Sequence, residues 1–532
     1  MTTPTPKIIE LSLDRREELL QRVEARLPED DYETIKALLE TYVYLTELLK
    51  DKGTTIERLR KLVFGAHTEK TRDVFPPTKE ADTPEPAPTP KHKGHGRNGA
   101  DAYRGAEKIE VPHESLHAGD ACPDCTKGTV YNMAQPRVVV RITGHAPVQA
   151  KVYELQRLRC HLCGKIFTAQ APAGMGSAKY DATSASMIAL LKYGSGLPFN
   201  RLQRLQGNLG LPLPASTQWD IVNTAARQIE PVYQELIRQA AQGEVLYNDD
   251  TTMKILALMG KRAKSDAPAE DAPQRKAVFT SGIVSTTKGR RIALFFTGRT
   301  RQGSRRKHAG ENLTTVLAQR ATGMGPPIQM CDALSRNLPA KFKTLVANCL
   351  AHGRRQFVDV APQFPEECLH VLECLGEIYR NDAVARERKL SPEARLRFHQ
   401  AESGPVMETL QAWLTQQFED RLVEPNSGLG QAIAYLLRHW EKLTLFLREP
   451  GAPLDNNLCE RALKKAILHR KNALFYKTEH GAHVGDLFMS LIHTCELSRI
   501  DPFDYLTELQ RHAEALSSTA SMWMPWNYRE TR

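Results

Sequence analysis

From Glu244 onward the apolar residues recur with the two-residue period of β-strands. Glu244 to Asp250, Met253 to Met259, Ala277 to Ser285 and Arg291 to Thr297 are β-branched or apolar runs, interrupted by a polar Ala/Pro-rich loop, Lys261 to Pro273. A helical stretch at Asn312 to Arg320 follows, then further apolar runs at Pro327 to Asp332 and Thr344 to Ala351. A meander first, and alternating helix and strand afterwards, predicts a multidomain α/β chain built round a mixed sheet. Helical patterning fills 178–242 before the first strand, and 355–450 and 451–532 after the last.

Composition sets the outer limits. A length of 532 residues suggests three or four folded units, and a hydrophobic share of 41% excludes wholesale disorder. No apolar run approaches the roughly 18 residues of a membrane helix, and residues 1–30 lack an apolar signal core, so no membrane partner is expected. The net charge of +10 favours a polyanionic partner. Ten cysteines are too few for a disulfide scaffold in so long a chain, which points to a reducing cytoplasm.

Upstream of the sheet, three segments differ in kind. In residues 1–70, Ile35, Leu38, Tyr42, Leu45, Leu49, Lys52, Ile56, Leu59 and Val63 alternate spacings of three and four, the seam of a coiled-coil arm or of an amphipathic hairpin. Residues 71–108 form a Pro-rich linker that turns basic and Gly-rich at Lys91 to Gly99, a string able to track a phosphate backbone or to remain a solvated spacer. Residues 109–172 hold Cys122-Pro-Asp-Cys125 and Cys160-His-Leu-Cys163. Two such pairs present four thiolates in the tetrahedral set that selects structural Zn²⁺, with a β-hairpin expected between them and His161 a bystander. Within 178–242, Phe199 to Asn208 and Pro214 to Ile229, broken at Gly210, have the lengths of a helix-turn-helix, a pattern that two ordinary packed helices also produce.

Three carboxylates stand where a metal-dependent nuclease needs them. Asp249 and Asp332 end apolar strands, and Glu460 opens a helix in the string Asp455 to Asn472. Hard carboxylate oxygens suit Mg²⁺ or Mn²⁺, and two ions roughly 3.5 to 4 Å apart stabilise both oxygens of a phosphoryl displacement. Asp249 and Asp250 face opposite sides of a strand, and alternation does not choose between them. Each acid also has an ordinary reading: Asp249 a strand end, Asp332 a helix cap, Glu460 the third residue of a capping box begun by Asn457. Cations surround them. Lys288, Arg290, Arg291, Arg299, Arg301, Arg305, Arg306 and Lys307 cluster on one strand and loop; His352, Arg354 and Arg355 follow another strand; Arg461, Lys464, Lys465, Arg470 and Lys471 share the helix of Glu460. A phosphate partner accounts for such a surface better than a solvated charged face.

The strings DNNLCERALKKAILHRKN (Asp455 to Asn472), HGRR (His352 to Arg355), NDDT (Asn248 to Thr251) and CDALSRN (Cys331 to Asn337) resemble the transposase of the insertion sequence 66 family. LRKLVFGAHTEK (Leu59 to Lys70), GHGRNGADAY (Gly94 to Tyr103) and the paired cysteine knuckles are similar to that family's zipper-like arm and zinc module. The resemblance implies an RNase H-like catalytic domain with its first part at 243–354. It also implies an Asp-Asp-Glu triad of Asp249, Asp332 and Glu460, and a Mg²⁺ or Mn²⁺ cofactor. The family reads Asp-Glu-Thr where this chain has Asp249-Asp250-Thr251, and the 128-residue separation of Asp332 and Glu460 implies a helical insertion. Expected partners are the terminal inverted repeats and target DNA, further copies of the chain on that DNA, and two small accessory proteins in a bacterial, nucleoid-associated setting. The expected activity is strand cleavage at element ends and transfer of the 3′-hydroxyl into target DNA. A zinc-dependent DNA-binding regulator without catalysis, or a nuclease without strand transfer, is the alternative.

Overall fold

The computed structural model describes residues 111–133 (except 114 and 126), 144–172 (except 160, 162 and 164), 178–259, 278–300 (except 288), 303–306 and 308–531. The expected arm, the linker, Cys160, Lys288, Arg301 and Lys307 lie outside the described residues.

In the cysteine-bearing segment a short antiparallel pair, β1 (Arg157–Arg159) and β2 (Ile166–Thr168), flanks the second knuckle. The helical region follows as expected. α1 (Ala182–Ala189) continues into a π-turn, Leu190–Gly194, and α2 (Phe199–Asn208) has the bounds that the sequence suggests. α3 (Ala215–Ala240) runs well past Ile229. Its extension is paid by burial: Val222, Ala226, Ile229, Tyr233, Leu236 and Ala240 form one apolar stripe at helical spacing. Gly210, at φ +74°, supplies the left-handed turn between α2 and α3.

The central sheet is built from β3 (Val245–Met253), β4 (Val278–Thr287) and β5 (Arg290–Thr297). A small ribbon, β6 (Arg299–Thr300) and β7 (Gly303–Arg306), and helix α4 (Ala309–Leu317) then lead to β8 (Ile328–Cys331) and β9 (Leu345–Asn348). Its order is β5-β4-β3-β8-β9. The meander strands pair antiparallel, and β3, β8 and β9 run parallel. The mixed sheet expected from the sequence is therefore present. One expected strand is not. Met253 to Met259 splits into the end of β3 and a 3₁₀ turn at Leu256–Leu258, because Ile255 leaves the meander to bridge Tyr476.

After β9 come α5 (Leu350–Val360), α6 (Pro365–Glu387), α7 (Pro392–Glu402), α8 (Gly404–Glu419) and α9 (Gly428–Leu443), the helical insertion anticipated between the second and third acids. Asp382 ties α6 to α7 by accepting from Arg395 at 2.7 Å and meeting buried His399 at 3.3 Å. The chain then returns to the sheet as α10 (Asn457–Ala473) and α11 (Glu479–Leu497), and ends in α12 (Pro502–Arg511), α13 (Ala513–Thr519) and α14 (Tyr528–Thr531). Helix α11 shields the outer strand. Thr494 Oγ1 and Ser490 Oγ accept from the backbone N–H groups of Ala293 and Phe295, and Asp486 accepts from that of Thr297 at 2.6 Å. Donors that an open edge would leave for another chain are thereby satisfied. No described helix is long and apolar enough to cross a membrane.

Candidate active site

Parallel pairing brings the acids to one sheet edge. Tyr247 is opposite Met330 in the β3–β8 register, so two residues further on Asp249 comes level with Asp332. Cys331 is opposite Asn348 in the β8–β9 register, which sets Cys349 level with Asp332. Asp332 and Cys349 thus follow the carboxyl ends of β8 and β9, level with Asp249, which does not end its strand as expected but lies within β3, two residues past the last parallel pair with β8.

Asp249 and Asp250, which alternation left open, have different surroundings. Asp250 pairs with Ser281, and its carboxylate accepts from Ser281 Oγ at 2.6 Å and from Ala309 N–H, at the start of α4, at 3.0 Å. Its side chain is fully buried, with both oxygens committed to structure. Asp249 pairs with Gly282 on the opposite face, under α10. A Cβ at Gly282 would lie 2.9 Å from Leu463 and 3.4 Å from Cys459, so glycine is what lets the helix approach this strand. Burial raises the Asp249 carboxyl to about 7, against a hydrogen bond from Asp250 N–H, and the charges of Asp332, Asp250 and Glu460 push it the same way.

Glu460 sits in the first turn of α10, but the capping-box reading does not hold. The N-cap is Asn456, one residue earlier than expected, and it makes no side-chain cap bond. Glu460 Oε1 is buried without a hydrogen-bond partner and lies 3.8 Å from His352 Nε2. Asn456 instead docks the helix: its Nδ2 donates to Asn248 O at 3.2 Å and its N–H to Cys349 Sγ at 3.3 Å. Cys459 Sγ adds a bond to Gly282 O at 3.3 Å.

Asp332 is not the helix cap that its ordinary reading made it, since Leu334 caps the 3₁₀ turn that follows, but its Oδ1 accepts from Leu334 N–H at 3.2 Å. The same oxygen accepts from Asn337 Nδ2. Asn337 is held by its own backbone, its O accepting from Asn248 Nδ2 and Gln329 Nε2, each at 2.8 Å. Asn248, Gln329, Asn337 and Asn456 therefore make a buried amide layer beneath the acids that joins β3, β8, the turn after Asp332 and the start of α10. Sequence reasoning missed these amides and Cys349 as site residues. Their signal was present: Asn248, Asn337 and Asn456 all lie inside the quoted motif strings.

The cations divide. Arg461, Lys464 and Lys471 are exposed on α10, whereas His352, Arg354 and Arg355 are half-buried on the first turns of α5. Arg470 is engaged: Nη1 donates to Thr251 Oγ1 at 3.1 Å and to Thr252 Oγ1 at 2.6 Å, clamping the end of β3. Lys465 pairs with Glu496 at 2.7 Å, and Arg290 lies over the Trp526 ring at 5.3 Å.

Two groupings could hold metal. The half-buried acids Asp249, Asp332 and Glu460 concentrate negative charge that a divalent cation would relieve, but among the described residues they are not a group whose ligand atoms all lie within 4.8 Å of one another. Their oxygens need not share one coordination sphere when two ions divide them. Among the described residues, ligand atoms of Cys349, His352 and Glu460 all lie within 4.8 Å of one another. In the distant knuckle, Cys122 N–H donates to Gly128 O at 2.7 Å, and backbone N–H groups of Lys127 and Gly128, with Cys122, hold the Cys125 thiol below its ordinary pKa. That turn favours a thiolate ligand.

A family model described as Transposase IS66 family matches residues 178–484, more than half of the chain. Relatives carry no assigned function: the uncharacterized protein y4jD of Sinorhizobium fredii is 24% identical, covering 91% of this chain and 96% of its own. The uncharacterized protein y4hP of the same organism is 26% identical over 72% of this chain and 69% of its own.

Proposed function

The chain belongs to the IS66 transposase family, and we propose that it cleaves DNA at element ends and transfers the freed 3′-hydroxyl into target DNA. The observation that carries this reading is the β3–β8 register, which sets Asp249 level with Asp332, together with the close approach of α10, whose first turn holds Glu460, at Gly282. Asp249, Asp332 and Glu460 would hold divalent ions, Mg²⁺ or Mn²⁺. When bound, such ions lower the pKa of attacking water and stabilise charge on the transferring phosphoryl group. The unpartnered Glu460 Oε1 and the uncompensated Asp249 fit that demand.

The chain's own residues orient the acids. Asn337 aims the Asp332 carboxylate, Asn456 fixes the start of α10, and Gly282 brings Glu460 down to β3. Arg461, Lys464 and Lys471, with His352, Arg354 and Arg355, would bind backbone phosphates, while Arg470 acts on DNA only through the strand end it clamps. The sheet order, three antiparallel strands continued by two parallel ones, supports an RNase H-like core at 243–354 with its helical insertion at 355–450. The remaining parts follow the same reading. Cys122, Cys125, Cys160 and Cys163 would bind structural Zn²⁺, and α2 and α3 would hold the terminal repeats. The arm would pair two chains on DNA, and accessory proteins would join them in a bacterial nucleoid.

The test is a plasmid carrying the element's two ends, incubated with the protein and Mn²⁺, with a labelled 3′-end supplied in parallel. Metal-dependent nicks and joining of the label to target DNA are expected. Nicks without joining would favour the nuclease alternative, and binding with neither would favour the regulator.

A further inference from the structure

Cys349 precedes α5 and His352 lies one turn inside it, so both face the first turn of α10. Their ligand atoms and a Glu460 oxygen fall within 4.8 Å of one another. Two of the polar atoms here are in want of a partner: Glu460 Oε1 and His352 Nδ1 are buried and make no hydrogen bond. The fold holds the group together through other atoms. Asn456 N–H meets Cys349 Sγ at 3.3 Å, and Leu350 N–H donates to Leu454 O at 2.9 Å, locking the two helix starts side by side. His352 and Glu460 keep 27% and 28% of their side chains exposed, which leaves a path for an ion.

The donor set is one sulfur, one imidazole nitrogen and one carboxylate oxygen. Mg²⁺ takes oxygen ligands almost exclusively, whereas Zn²⁺ accepts all three and often has three protein ligands with a fourth position open. We propose that Cys349, His352 and Glu460 form a Zn²⁺ site that draws Glu460 away from the catalytic ions, so that zinc inhibits strand cleavage. The inhibitory half rests on the role given to Glu460 under Proposed function; the binding half does not. On binding, a Zn–S bond forms, the thiol S–H bond breaks and its proton passes to solvent.

Two measurements on the full chain test this. Zinc retained after dialysis is counted for the wild type, Cys349→Ala and Cys122→Ser, with His352→Gln as a second ligand variant in case alanine disturbs folding. Cys349→Ala and His352→Gln are each expected to lose one equivalent, and Cys122→Ser to lose a different one from the knuckle site. Unchanged zinc content in both Cys349→Ala and His352→Gln would overturn the binding half. Plasmid nicking at fixed Mn²⁺ is then followed against added Zn²⁺. With each protein's nicking scaled to its own zinc-free rate, Cys349→Ala should need at least tenfold more zinc than the wild type for half-inhibition. Equal sensitivity in the two proteins would overturn the inhibitory half. Absence of nicking by either protein at any Mn²⁺ concentration would instead count against the transposase reading, with the zinc count still deciding the site.

Discussion

Asp249→Asn should abolish metal-dependent nicking, by at least a thousandfold, and at the same time make the metal-free protein more stable at neutral pH. Both effects have one cause. The carboxyl is raised to about 7 from an ordinary value of 3.8, so its ionised form is disfavoured by folding. Such a group loses stability for the folded state as pH rises from about 4 to about 7. The amide carries no charge and escapes that loss. The advantage of Asn over Asp should be absent near pH 4, grow up to about pH 7 and level off at a few kcal/mol, on the order that a pKa displacement of this size implies. Saturating Mg²⁺ should shrink it by stabilising only the wild type. Thermal melts of both proteins across pH, with chelator and with Mg²⁺, check this. A variant no more stable than wild type at pH 7 in chelator would show that Asp249 is not held in an uncompensated charge cluster.

Gly310→Ala should be the most damaging small substitution near the site. Gly310 lies in the first turn of α4, and a Cβ there would meet the backbone carbonyls of Leu338 and Arg336, the latter at 2.7 Å. Backbone cannot swing aside as a side chain does, so the turn carrying Asn337 must move, and Asn337 orients Asp332. Overpacking of this kind costs about 1–3 kcal/mol. A drop of about 5 °C in the melting midpoint is expected, with a fall in nicking at least tenfold beyond what the lost folded fraction explains. An unchanged midpoint and rate would mean that the turn adapts and that Asp332 is not set by it.

Much of this architecture was legible because the sheet follows simple periodicity. The runs Glu244 to Asp250 and Pro327 to Asp332 became β3, which extends to Met253, and β8, and the helical stretch between them became α4. Local pattern failed where tertiary contact decided the outcome. Ile255 reads as strand but turns away to bridge Tyr476, and α3 runs on to Ala240 because its far turns have a sheet to pack on. At the site, alternation could not separate Asp249 from Asp250; the choice depends on Gly282 and Ser281, two β4 residues whose register no local pattern supplies. Glu460 has capping-box spacing, yet Asn456 starts the helix because its amide and N–H are drawn to Asn248 and Cys349, more than a hundred residues away. Arg470 reads as one more DNA-facing cation and is instead spent on Thr251 and Thr252.

The most direct measurement is a crystal of the protein soaked in Mn²⁺, with the metal located by its anomalous scattering. The account predicts manganese bound by oxygens of Asp249, Asp332 and Glu460, and its loss from crystals of the Asp249→Asn variant. Saturating manganese that leaves these three carboxylates bare, or that binds equally well without Asp249, would contradict it.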